Sequence, residues 1–231
     1  MLTLRLSALP STVLGIYGPS QQILPERMRF LAPDAAESYR RMDQSVHRLR
    51  VSDMFRSADS SLQASHEKRG VMPPGRSGHN FGFSMDVDVT WVLQQYGWKK
   101  KQLDEELAQA GWFCHRKDHE LDSESWHYNY FGSDAARYLG ASAAYDSTAS
   151  GLEMLIQDRY GAQFALTALE IQTILQHMRL YSGGIDGDLG PLSRQAVNAF
   201  QRAWSLPETG LAGPATQRLL AFIGCQQEIV P

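Results

Sequence analysis

Two imidazoles and two carboxylates in this 231-residue chain stand at spacings that suggest metal-assisted hydrolysis. His79 and Asp86 lie seven residues apart within Ser77-Gly78-His79-Asn80-Phe81-Gly82-Phe83-Ser84-Met85-Asp86. Glu124 and His127 lie three apart within Glu124-Ser125-Trp126-His127. A catalytic zinc ion takes three protein ligands from His, Asp, Glu or Cys and leaves one position for water. His79, Asp86 and His127 make such a set. Glu124 is left over, and a hydrolase needs a carboxylate near its attacking water to take the proton.

The elements that must position these groups are partly readable. Gly75, Gly78 and Gly82 punctuate the first segment, which predicts a tight, irregular loop around His79. Residues 83–89 alternate as a strand does, with Asp86 and Asp88 on one face and Met85, Val87 and Val89 on the other. The aromatic run 126–131 predicts a second strand. Residues three apart on a regular strand face opposite ways. Glu124 and His127 therefore share a site only if the chain bends near Ser125. Cys114, His115 and His119 are further candidate ligands, but their spacing fits no zinc pattern. The densely charged stretch 115–120 is expected to be a solvated loop.

The pattern S-x-H-x-x-G-x-x-x-D followed by E-x-W-H resembles the signature of the LAS-type zinc peptidases. These include D-Ala-D-Ala carboxypeptidases and dipeptidases, and phage L-alanyl-D-glutamate endopeptidases. The wording Pro74-Gly75-Arg76-Ser77-Gly78-His79-Asn80-Phe81-Gly82 is closest to the phage-lysin branch. The resemblance covers roughly residues 25–140 and implies zinc on His79, Asp86 and His127, with Glu124 as general base. It makes Arg56, in Asp53-Met54-Phe55-Arg56-Ser57, the substrate-binding cation that also steadies the developing oxyanion, and Ser77 a substrate-contacting serine. Ser84 departs from the family, which usually has a small apolar residue there. Motif spacing prefers Asp86 to Asp88 as the ligand and leaves Asp88 a candidate for the surrounding shell.

Composition narrows the field. A net charge of −3 gives no polyanion-binding signature, so nucleic acid is not an expected partner. The two cysteines, Cys114 and Cys225, are too few for a disulfide framework. No apolar run reaches membrane-span length, and residues 1–17 lack the features of a signal peptide. A wall-degrading enzyme made in a host cytoplasm would then reach the periplasm or cell wall through a holin-type or secretion-system release. A monomer is expected.

Around the site, Asp34 and Glu37 suggest a capping box opening a helix that carries Tyr39, Met42, Val46 and Leu49, with Arg40, Arg41, Arg48 and Arg50 on its solvated back. Residues 51–55 predict a short strand that delivers Arg56, and residues 57–68 a polar helix. Residues 99–110 predict another helix, with Leu103 and Leu107 inward. The small, polar run 141–151 reads as a linker.

Beyond the linker the pattern turns helical. Gly190-Pro191-Leu192-Ser193-Arg194-Gln195-Ala196-Val197 is echoed by Gly213-Pro214-Ala215-Thr216-Gln217-Arg218-Leu219-Leu220. With a lead helix through Leu169, Ile174 and Leu175, these units predict a three-helix bundle. Residues 152–223 resemble the helical peptidoglycan-binding domain of many wall hydrolases, through Gln172, Ile185-Asp186-Gly187, Gly190-Pro191, Phe200-Gln201, Thr209-Gly210-Leu211 and Gly213-Pro214-Ala215-Thr216. Asp186-Gly187-Asp188 lacks the downstream Glu of a calcium loop and reads as a turn.

The expected architecture is α+β: a small antiparallel-sheet peptidase domain (1–140), a linker (141–151) and an all-α domain (152–231). The expected activity is cleavage of the peptidoglycan stem peptide, foremost as an L-alanyl-D-glutamate endopeptidase. The alternatives are a D-Ala-D-Ala carboxypeptidase or cross-link endopeptidase, and a non-catalytic wall-binding protein.

Overall fold

The computed structural model describes residues 1–16, 23–45, 48–67, 72, 74–115, 124–140 and 148–230. In chain order its strands are β1 (Thr3–Ala8), β2 (Leu14–Gly15), β3 (Phe30–Leu31), β4 (Arg50–Asp53), β5 (Ser84–Val87), β6 (Trp112–Cys114), β7 (His127–Tyr130) and β8 (Gln226–Val230). Its helices are α1 (Pro33–Ser45), α2 (Ala58–Glu67), α3 (Gly78–Phe81), α4 (Val89–Tyr96), α5 (Lys100–Gln109), α6 (Ala135–Leu139), α7 (Thr148–Phe164), α8 (Ala168–His177), α9 (Pro191–Ala203) and α10 (Pro214–Ile223). The fold is α+β, with small sheets and an all-helical region at 168–220. The chain forms two units, one of Arg5–Ser57, Arg76–Arg159 and Glu228–Pro231, the other of Met1–Leu4, Ala58–Gly75 and Tyr160–Gln227.

The first unit is organised by a five-stranded sheet in the order β2-β4-β5-β7-β6. Only β2 and β4 pair in parallel; the other neighbours are antiparallel. Between β5 and β7 the register sets Ser84 opposite Asn129, Met85 opposite Tyr128 and Asp86 opposite His127. Because side chains alternate along a strand, Met85, Val87 and Tyr128 are buried while Asp86 and His127 share the other face. Each large apolar side chain so buried contributes about 1.5–3 kcal/mol. That burial fixes the register, since a one-residue slip would reverse every side chain.

Several expectations are corrected. Residues around His79 form the helical turn α3, not an irregular loop. Ser77 caps it, accepting from His79 N at 3.3 Å, while Asn80 reaches back to the Ser77 amide. Gly82 ends the turn at φ 73°, where an added Cβ would lie 2.5 Å from Ala32 N, so glycine is required twice over. Strand β5 stops at Val87. Asp88 turns out of it to cap α4, accepting from Trp91 N at 3.1 Å and pairing with Arg50 at 3.5 Å.

Helix α1 starts at Pro33, whose fixed φ suits a first helical position, so Asp34 sits inside the first turn rather than at the cap. Its carboxylate takes Arg159 at 2.6 Å. Arg50 belongs to β4 and not to the back of α1. The expected linker splits: residues 141–147 lie outside the described residues, and 148–151 are the first turn of α7. Gly151 allows close packing there, since a Cβ would stand 2.7 Å from Tyr138 O.

In the second unit, α8, α9 and α10 bear out the expected bundle. Pro191 and Pro214 open α9 and α10 behind glycine caps. The internal repeat has a physical basis in two buried glutamines. Gln172 Oε1 accepts from Asp186 N (3.1 Å) and Gly187 N (2.8 Å), and its amide donates to Asp188 O (2.9 Å). Gln201 Oε1 accepts from Thr209 N (2.8 Å) and Gly210 N (3.0 Å), and its amide donates to Leu211 O (2.9 Å). Gly187 and Gly210 both take positive φ in the clamped turns. Asp186 accepts from Asp188 N and serves the turn. Met1–Leu4 and Ala58–Gly75 join this unit, with Arg218 Nε donating to Gly75 O at 2.6 Å.

Candidate metal centre

His79 from α3, Asp86 from β5 and His127 from β7 converge. His127 Nδ1 lies 2.8 Å from Asp86 Oδ1, His79 Nε2 lies 3.3 Å from Asp86 Oδ1, and the two imidazole nitrogens are 3.3 Å apart. Three donor atoms within 4.8 Å of one another form the one group among the described residues able to hold a metal ion. The donor set fits a small divalent cation. Tetrahedral ligands at roughly 2.0–2.1 Å from zinc stand about 3.3 Å from each other.

The opposite ring nitrogens are committed in the manner of metal ligands. His79 Nδ1 lies 2.6 Å from Met54 O, and a carbonyl only accepts, so that nitrogen carries the proton. His127 Nε2 lies 3.1 Å from Asn129 Oδ1, which also accepts from Ser84 Oγ at 2.6 Å. Lone pairs on His79 Nε2 and His127 Nδ1 are thereby aimed at one point. Burial disfavours charge on His79, but the carboxylates of Asp86 and then Asp53 outweigh it and raise its pKa. Burial likewise opposes the Asp86 charge, yet His79 and His127 hold its carboxyl far below the ordinary range. Both shifts follow from one carboxylate set between two imidazoles.

Glu124, Arg56 and Ser77 lie outside this three-atom group. Glu124 takes the bend foreseen near Ser125: its φ is 74°, and its carbonyl accepts from His127 N at 3.0 Å. Its half-exposed carboxylate approaches His115 Nε2 to 3.3 Å, and the His115 and His127 rings meet edge to face at 5.9 Å. Arg56 follows β4. Its backbone N–H donates to His79 O at 3.0 Å, and its guanidinium binds Asp53 Oδ2 through Nε (2.9 Å) and Nη2. Asp53 Oδ1 is buried without a partner among the described residues. Ser77 spends a lone pair on capping α3, and its O–H remains available as a donor.

Cys114 is buried at the end of β6, in contact with Lys100 Nζ (3.4 Å) and Ser125 O (3.5 Å), and is no part of the donor set. His119 lies outside the described residues. Sequence reasoning missed Asn129, although its two-residue spacing from His127 on one strand signals a shared face. It also missed the Met54 carbonyl, Asp53 and Thr148. Backbone carbonyls carry no sequence signal, and Thr148 is hidden in a low-complexity run. A cavity of about 780 Å³ elsewhere in this unit, lined by Ser38, Met42, Trp98, Leu103 and Leu107 among others, contains none of the site residues.

Residues 168–220 match the family described as "Putative peptidoglycan binding domain". No curated protein matches the chain. Among solved structures, the chain is similar to that described as "Structure of the LdcB LD-carboxypeptidase reveals the molecular basis of peptidoglycan recognition", at 20% identity and a TM-score of 0.42, over 62% of this chain and 81% of that one. Among the described residues no helix is long and apolar enough to cross a membrane.

Proposed function

We propose that the chain is a zinc-dependent peptidoglycan peptidase of the LAS type that cuts the stem peptide, foremost between L-alanine and D-glutamate. The observation that carries this reading is the convergence of His79 Nε2, Asp86 Oδ1 and His127 Nδ1, with Glu124, the carboxylate the motif leaves over, reaching His115, whose ring meets that of His127. Zinc, when bound by these three, supplies Lewis acidity that polarises a carbonyl and acidifies water.

The protein's own groups account for the proton movements. Glu124 takes a proton from the attacking water as its oxygen bonds to the scissile carbonyl carbon. It then delivers that proton to the leaving amine nitrogen as the C–N bond breaks. Asp53 holds two guanidinium nitrogens of Arg56 and so orients the cation. Arg56 Nη1 has no partner among the described residues and is the donor for a substrate carboxylate or the developing oxyanion. Ser77 offers its O–H to the substrate. The reading divides the chain into a peptidase domain at 1–140 and a wall-binding domain at 152–231. The match over 168–220 supports peptidoglycan as the partner, which the helical domain holds while the site acts nearby. A monomer released to the periplasm or wall by a holin-type or secretion route fits this division of labour.

The test is mass spectrometry of purified peptidoglycan digested with zinc-loaded protein, with Glu124→Ala as control. New peptides with N-terminal D-glutamate are expected from the wild type and none from the variant, which should retain zinc. Release of terminal D-alanine or splitting of cross-links would instead identify a carboxypeptidase or cross-link endopeptidase. No products from protein that still sediments with sacculi would identify a non-catalytic wall-binding protein.

A further inference from the structure

His115 follows strand β6 directly, and its backbone N–H donates to His127 O at 2.8 Å. That bond fixes the ring's origin relative to the metal seat. The ring itself is held at both nitrogens. Nδ1 lies 3.0 Å from Thr148 Oγ1, and Nε2 lies 3.3 Å from Glu124 Oε2. Thr148 is fully buried, so its hydroxyl is a fixed post rather than a rotating surface group. A carboxylate oxygen only accepts, so the proton of a neutral ring belongs on Nε2, facing Glu124. Nδ1 is then an acceptor, and the Thr148 hydroxyl, which also lies 3.4 Å from His115 O, donates to the nearer Nδ1 at 3.0 Å. The order is Thr148 O–H to His115 Nδ1, then His115 Nε2–H to the Glu124 carboxylate.

The geometry points to His115 as the positioning residue that sets the Glu124 carboxylate for proton transfer, with Thr148 fixing the ring; this rests on Glu124 being the general base. The need for such a device is visible at Glu124 itself. Its side chain is 45% exposed and has three rotatable bonds, and no described neighbour other than His115 is in ionic contact with its carboxylate. A general base must lie within hydrogen-bond reach of the proton it takes, and misplacement by about 1 Å can cost on the order of a hundredfold in rate. Edge contact with the His127 ring keeps the His115 imidazole from turning away. None of the three metal-facing atoms is used by His115, so its role is separable from metal binding.

The experiment compares full-length, zinc-loaded wild type, His115→Ala, His115→Gln, Thr148→Val and Glu124→Ala on a soluble stem peptide, with bound zinc and melting temperature measured for each. His115→Ala should lower kcat by about ten- to a hundredfold with KM within about twofold and zinc stoichiometry unchanged. His115→Gln, which keeps a donor near the Nε2 position, should recover most of that loss. Thr148→Val, close to isosteric, should lower kcat by a few-fold. His115→Ala added to Glu124→Ala should cost nothing further. Normal kcat in His115→Ala, with Glu124→Ala inactive, overturns the positioning role and leaves the base assignment standing. A His115→Ala loss expressed in KM or zinc content, or one not recovered by His115→Gln, overturns it too. Activity retained in Glu124→Ala instead overturns the base assignment.

Discussion

Replacing Gln172 by alanine should destabilise the helical unit by about 3 kcal/mol. The side chain is fully buried, and three backbone groups depend on it: the Asp186 and Gly187 amides at 3.1 and 2.8 Å and the Asp188 carbonyl at 2.9 Å. A net hydrogen bond is worth about 1 kcal/mol, whereas an orphaned group that stays dry costs about 1–3 kcal/mol. Residues 186–188 are exposed on their outer side, so water can reach part of the turn. That places the loss near three net bonds rather than three dry orphans. Against a stability of about 5–15 kcal/mol, 3 kcal/mol lowers the folded-to-unfolded ratio roughly 150-fold. Urea unfolding followed by circular dichroism is the assay. With a slope of about 2 kcal/mol per molar, the midpoint should fall by about 1.5 M. Gln201→Ala removes the equivalent bonds to Thr209, Gly210 and Leu211 and should cost the same within about 1 kcal/mol. A fall below about 0.3 M for Gln172→Ala would refute the clamp, because water would then replace the amide at no cost. Costs that differ severalfold between the two glutamines would refute their equivalence.

Two further outcomes are expected. Asn129→Leu removes the acceptor for His127 Nε2 and Ser84 Oγ; zinc affinity measured by competition with a chelator should fall about 10–100-fold, with the fold retained. Glu170 is held at about 2, first by the N-terminal ammonium and then by the Thr167 amide and hydroxyl, so its contribution to stability is full above its ordinary value near 4.5 and is lost as pH falls towards 2. Melting temperatures of wild type and Glu170→Gln across that window should converge at the acid end, and a constant gap would contradict the assignment.

That His79, Asp86 and His127 could converge on one metal ion was legible because the chemistry is carried by residue type and order. His79, Asp86, Glu124 and His127 need no structural context to be singled out, and the required bend near Ser125 follows from strand periodicity alone. What positions them was less legible. The glycines around His79 suggested an irregular loop, whereas the Ser77–Asn80 capping box makes a helical turn of the same residues. Asp88 continues the alternation of β5 in sequence but leaves the strand, because a side-chain acceptor at the entry of α4 competes with further pairing. Residues 148–151 were absorbed into a small-residue run. Yet Leu152, Leu155 and Ile156 follow at helical spacing and are buried, and Gly151 is demanded by Tyr138 O rather than by flexibility. The helical unit was read almost whole, since its repeat is written twice. The part played there by Met1–Leu4 and Ala58–Gly75 was not, because contacts between distant segments leave no periodicity in either.

The backbone of Glu124 separates function from stability most sharply. Its φ of 74° lies where a side chain costs about 1–2 kcal/mol and glycine is at home. The conformation goes with the turn in which the Glu124 carbonyl accepts from His127 N, and from that turn the carboxylate reaches His115 at 3.3 Å. A protein selected for stability alone would place glycine there. Glu124→Ala and Glu124→Gly both delete the carboxylate and its approach to His115, so their difference isolates the backbone. Glycine relieves the left-handed cost but adds about 0.5–1 kcal/mol of chain entropy to be lost on folding. Glu124→Gly should therefore be more stable than Glu124→Ala by about 0.5–1 kcal/mol, a difference of a few degrees in melting temperature, with both inactive on the stem peptide. A glycine variant no more stable than the alanine variant would mean that the turn relaxes when the carboxylate goes. The positive φ would then be held by the Glu124 side chain and not by the path of the chain into β7.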